Sequence, residues 1–137
     1  MTTPDESSGR VRATGGCLCG AVRFEVTGPL RDVVLCHCQM CRRTHGHIGA
    51  YSATAKSDLR ILESRGLKWY ASSEVARRGF CSECGASLFW EASGRDPVSI
   101  AAGMLDAPTG LATTLQIYVS SAGDYYAIDE RIPMRPE

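Results

Sequence analysis

The chain has 137 residues, 44% of them hydrophobic, with 15 basic and 15 acidic side chains and a formal net charge of zero. That length suits one domain around one core. The charge balance offers no basic face or tail for nucleic acid or a membrane surface, and no apolar run is long enough to span a bilayer.

Residues 1–14 are rich in Ser, Thr, Gly, Pro and charge and read as a disordered leader, with a single domain over 15–137. Met1 to Gly9 holds no apolar segment of signal-peptide type, so a cytoplasmic location is expected. Short alternating segments follow. Val22, Phe24 and Val26 alternate with Arg23 and Glu25, the period of a half-buried strand. A short helical turn is expected over 39–44. Further strands are expected over 49–54, 67–71, 87–91, 98–102, 116–120 and 125–129, separated by Gly, Pro, Asp and Ser. No window supports a long amphipathic helix. The class is mainly β, with short antiparallel strands.

Seven cysteines fall into three clusters: Cys17 and Cys19; Cys36, Cys38 and Cys41; Cys81 and Cys84. In a reducing compartment such spacing points to metal rather than disulfides. A Cys17–Cys19 disulfide would also close a badly strained ring. Residues i and i+2 of a strand share a face, so Cys17 and Cys19 can offer both sulfurs to one ion, as can Cys36 and Cys38. His37, between the latter two, should then point away from the metal. Cys81 and Cys84 form a C-x-x-C knuckle followed by Gly85, a residue suited to a tight turn. Zinc–sulfur bonds near 2.3 Å place tetrahedral sulfurs about 3.8 Å apart, which both spacings can reach.

The simplest grouping joins the two pairs into one closed four-thiolate site and leaves the triplet as a second, open one. Three protein ligands and a free position are how a catalytic zinc is built. The alternative is a wholly structural protein, a zinc module for protein interaction, in which His45 or His47 completes the triplet. Iron–sulfur ligation and dithiol redox chemistry at Cys38 and Cys41 are further readings. Arg42 follows Cys41, so the haem-attachment motif is absent.

With these clusters in view, the chain resembles the glutathione-dependent formaldehyde-activating enzyme family, which includes centromere-protein-V-like members. The resemblance rests on the stretches 15–22 (GGCLCGAV), 36–43 (CHCQMCRR) and 78–85 (RGFCSECG). Ala102-Gly103-Met104-Leu105-Asp106 and Ile132-Pro133 add to it. It implies a β-tent fold and two zinc ions per chain: Cys17, Cys19, Cys81 and Cys84 as structural ligands, and Cys36, Cys38 and Cys41 as the catalytic set. It further implies a carbon–sulfur lyase that joins formaldehyde to glutathione, giving S-(hydroxymethyl)glutathione. Gln116 stands where many members carry a His, and Tyr125 and Tyr126 stand near a position that is often Trp.

A three-thiolate zinc favours a soft fourth ligand, so a thiol substrate, glutathione in the namesake reaction, is the expected small-molecule partner. Arg42 and Arg43 are candidates for offsetting the anionic site or pairing with substrate carboxylates. Arg77 and Arg78 read as surface charges with a lesser prospect of anion binding. His37 reads as packed or as a donor behind the ligands, and His45 and His47 as candidate proton shuttles. Trp69, Tyr70, Phe89 and Trp90 read as core or pocket wall.

Overall fold

A computed structural model describes residues 10–137. Among them are ten strands and one α-helix, arranged as two sheets. Strands β1 (Ala13–Gly16), β2 (Arg23–Val26) and β5 (Leu59–Glu63) form the smaller sheet, in the order β1-β2-β5. The larger contains β3 (Val33–Cys36), β4 (Gly49–Thr54), β6 (Leu67–Ala71), β7 (Ala76–Cys81), β8 (Ser87–Ala92), β9 (Val98–Ala101) and β10 (Thr113–Ile117). Its order is β10-β3-β4-β9-β8-β7-β6. All pairings are antiparallel except β10 with β3, which run parallel. The fold is thus mainly β with short strands, as the residue pattern predicts, and is the tent that the family resemblance implies. No helix among the described residues is long and apolar enough to cross a membrane.

The main core draws on both sheets. Phe24 and Val26 of β2 meet Leu88 and Phe89 of β8 and Val98 and Ile100 of β9, all 0–1% exposed. The Phe24 and Phe89 rings stand edge to face with centroids 5.3 Å apart, a favourable aromatic geometry. Fully burying a side chain of this size contributes roughly 1.5–3 kcal/mol. Cys17 and Cys81 belong to this same cluster, so the first and third cysteine groups are anchored in the main core. A second cluster holds Cys36, Cys41, Tyr51 and Ala101, with Cys38, Trp90, Met104 and Ile117 packed on it.

Several elements depart from the sequence reading. The leader expected over 1–14 lies mostly outside the described residues, and its last two members, Ala13 and Thr14, pair with Val26 and Glu25 in β1–β2. Strands β1, β3, β5 and β7 add to those expected. The strand expected over 116–120 instead covers Thr113–Ile117: Tyr118 turns left-handed at φ 56°, and Val119–Ser121 form a 3₁₀ turn. Residues 125–129 form no strand. There the Tyr125 and Tyr126 rings pack on His47, and Tyr126 also stacks on His37, so side chains rather than a ladder organise the segment.

Candidate metal centres

The first and third cysteine groups converge. Cys17 and Cys19 lie not on a strand but in the bend that follows β1, while Cys81 ends β7 and Cys84 closes the turn beyond it. The bend still brings the two sulfurs together, because the chain reverses between β1 and β2. Cys19 Sγ lies 3.8 Å from Cys17 Sγ and 3.8 Å from Cys81 Sγ. All four sulfurs fall within 4.8 Å of one another. The Val22 amide donates to Cys17 Sγ at 3.2 Å, and the Cys84 thiol is held down to about 6, chiefly by the Ala86 amide. Gly85 takes φ 81° and donates its amide to the Cys81 carbonyl at 2.7 Å. That left-handed turn is nearly free of cost only for glycine.

The triplet is built at the junction of β3 and α1 (Gln39–His45). Cys36 ends the strand. Cys38 is the helix N-cap, its sulfur accepting the Cys41 amide at 3.3 Å. Cys41 sits one turn in, on the buried face, and Gly46 ends the helix in the left-handed region, donating to the Arg42 carbonyl. The three sulfurs lie within 4.8 Å of one another, and no fourth Cys, His, Asp or Glu among the described residues joins them.

Both groups fit a divalent, sulfur-loving ion. In the four-cysteine group the 3.8 Å separations are those of tetrahedral thiolates around zinc. They are far too long for disulfides, and all seven thiols are free. Within the triplet, Cys36 and Cys41 shift in opposite directions. A hydrogen bond from the Cys36 thiol brings Cys41 down to about 6, while that same contact and burial raise Cys36. A cation among the sulfurs favours thiolates.

His45 and His47 do not complete the triplet. His45 Nε2 bonds to the Tyr51 hydroxyl, and His47 Nδ1 lies 2.8 Å from the Tyr125 hydroxyl. His37 is 1% exposed. It turns from the cysteines, as strand geometry predicts, to Tyr126 (Nδ1, 2.8 Å) and Gln116 (Nε2, 3.0 Å). Arg42 donates to the Ser121 carbonyl at 2.9 Å, and Arg43 is exposed. Neither is the cation beside the sulfurs.

That cation is Arg78, which the sequence reading assigned to the surface. It is 7% exposed, donates from Nη1 to the Tyr51 hydroxyl at 3.1 Å, and places Nη2 3.8 Å from Cys41 Sγ. Its Nε is buried without a partner. Its neighbour Arg77 does lie at the surface, paired with Glu91 at 2.6 Å and stacked on Trp69 at 4.0 Å. The alternation of β7 could have separated the two, had the strand been recognised: i and i+1 face opposite ways. Of the aromatic candidates, Phe89 is core, Trp69 packs on that core, Trp90 covers the triplet and Tyr70 is exposed.

A groove of about 320 Å³ opens alongside, lined by Thr44, His45, Ala50, Ser87, Ala101 and Met104 among others. Ala101 and Met104 also pack against the triplet. The His45 imidazole in its wall is held below its ordinary value, first by burial and then by the Arg78 charge.

Fold and clusters together define a mainly β protein with two sulfur-lined centres fit to bind metal. The chain belongs to the glutathione-dependent formaldehyde-activating enzyme family, whose model matches residues 12–121. A Schizosaccharomyces pombe protein named an uncharacterized lyase is 28% identical over 122 residues, 88% of each chain. A putative glutathione-dependent formaldehyde-activating enzyme of Halomonas elongata is 35% identical over 85 residues, 56% of this chain and 53% of that one. The crystal structure of a Rhodobacter sphaeroides protein superposes with a TM-score of 0.58 at 24% identity, covering 89% of this chain and 99% of that one, and so shares the fold.

Proposed function

We propose that the chain is a zinc-dependent carbon–sulfur lyase that joins a glutathione-like thiol to a small aldehyde such as formaldehyde, in the reducing cytoplasm. Cys17, Cys19, Cys81 and Cys84 hold one zinc for architecture. Cys36, Cys38 and Cys41 hold a second for chemistry. The observation that carries this reading is the three-sulfur cluster, which no fourth donor among the described residues completes, beside a groove of small-molecule size. Family membership and the relatives' names, a lyase and a formaldehyde-activating enzyme, support the same chemistry.

When bound, zinc in such a set stabilises an incoming thiol as thiolate at neutral pH. The chain's own residues do the rest. Ala101 and Met104, shared between the groove wall and the packing around the triplet, position the aldehyde near the sulfurs. The substrate sulfur attacks the carbonyl carbon, forming the S–C bond, and the carbonyl electron pair moves to oxygen, which takes up a proton. His45 faces this groove as a neutral imidazole, because its lowered pKa leaves it uncharged near pH 7, and Tyr51 fixes its Nε2. Tyr51 accepts from Arg78, which leaves its hydroxyl proton for Nε2, so the His45 proton sits on Nδ1. The ring thereby serves as a donor to the developing oxyanion, and the thiol proton leaves to solvent.

Two substitutions test the assignment. Cys38→Ser is expected to leave a folded protein with one metal and no activity in joining formaldehyde to glutathione. Cys17→Ser is expected to compromise folding itself. Equal unfolding by both would remove the distinction between the centres, and full activity in Cys38→Ser would overturn the catalytic role.

A further inference from the structure

Arg78 is 7% exposed, and none of the ion pairs among the described residues includes it. A buried guanidinium without a carboxylate is strongly disfavoured unless other negative charge lies beside it. The side-chain groups it contacts are the Tyr51 hydroxyl and Cys41 Sγ, so its counter-charge is the sulfur cluster. On the reading above, three thiolates and a divalent ion leave one negative charge, which Arg78 neutralises. An anionic fourth ligand would otherwise bring a second uncompensated charge into a centre where Cys36 is 9% and Cys41 5% exposed. Among the described residues the four-cysteine centre has no such buried cation, and its Cys19 reaches solvent, where water screens the excess.

We infer that Arg78 is the positioning residue that makes the three-cysteine centre accept an anionic fourth ligand, a thiolate, in preference to a neutral one. It acts through its fixed charge and its donation to Cys41, while Tyr51 holds the guanidinium in place. This rests on the triplet being a metal centre, so the experiment separates the two claims. The full chain is loaded with cobalt, metal per chain is counted, and its absorption is titrated with 2-mercaptoethanol, which binds as thiolate, and with imidazole, which binds neutral. Wild type is expected to carry two cobalt ions and to favour the thiol. Arg78→Met is expected to keep both metals and lose the thiol-over-imidazole preference by on the order of tenfold or more, with Arg78→Lys restoring most of it. If Arg78→Met does not fold, Arg78→Gln carries the same comparison. One cobalt per wild-type chain would overturn the metal reading. Two cobalt ions with an unchanged preference in Arg78→Met or Arg78→Gln would overturn the role of Arg78 alone.

Discussion

His37 Nε2 lies 3.0 Å from Gln116 Oε1, and this contact ties the segment between two triplet cysteines to β10. The Gln116 amide nitrogen donates to the Asp129 carbonyl at 2.9 Å and the Ile132 carbonyl at 3.4 Å, which fixes the amide orientation. Its oxygen therefore accepts, and His37 carries its proton on Nε2 while Nδ1 accepts from the Tyr126 hydroxyl at 2.8 Å. The glutamine thus satisfies a buried histidine and two carbonyls at once.

Gln116→Leu should leave the buried His37 Nε2–H without an acceptor, costing roughly 1–3 kcal/mol. Chemical denaturation measures the loss. Nitrogen-15 spectra of wild type should show His37 as the Nε2–H tautomer, and an Nδ1–H tautomer would contradict the network.

Gly49 faces the triplet at close range. A Cβ there would stand 3.1 Å from the Cys41 Cβ, 3.1 Å from the His45 ring and 3.2 Å from Cys41 Sγ. Gly49→Ala should destabilise by about 1–3 kcal/mol through overpacking and weaken metal binding at the triplet, with the four-cysteine centre retained. Metal stoichiometry and a denaturation curve check both effects.

Phe89 is fully buried, meets Phe24 edge to face and stacks against Trp69 at 6.1 Å. Phe89→Ala should cost about 3–5 kcal/mol, because the rings around it belong to different sheets and cannot readily close the void. A loss below 1 kcal/mol would mean that the sheets are not held by this cluster.

His45 supplies a pH dependence. Its folded pKa lies below the ordinary 6.5, from burial first and then from the Arg78 charge, so the unfolded chain binds this proton more readily. This residue therefore makes stability fall as pH drops below 6.5, and has no effect on the slope well above it. His45→Gln should flatten the stability profile below about pH 6.5 relative to wild type, as read in denaturant melts. A parallel profile would refute the shift.

Much of this was legible in the chain. Cysteine spacing grouped the sulfurs, because two- and three-residue separations bring side chains within reach of one ion whether the backbone is a strand, as expected for Cys17 and Cys19, or the bend observed. Strands over 49–54 and 67–71 match their expected limits, bounded by turn-forming residues. What was hidden depended on long-range pairing. Arg78 looks solvated in sequence, and only β8 beside β7, with Tyr51 across the core, turns it inward. Tyr125 and Tyr126 have strand-like chemistry, yet their rings are drawn to His47 and His37, residues nearly eighty or more positions earlier. The end of β10 at Ile117 is set by the left-handed Tyr118, a conformation that no residue type there announces.

The most direct test of the account is zinc per chain in the purified, reduced protein, measured for wild type and for Cys38→Ser. Two ions in wild type and one in a folded Cys38→Ser are expected. A single ion in wild type with all seven thiols reduced, or two ions retained in Cys38→Ser, would contradict it.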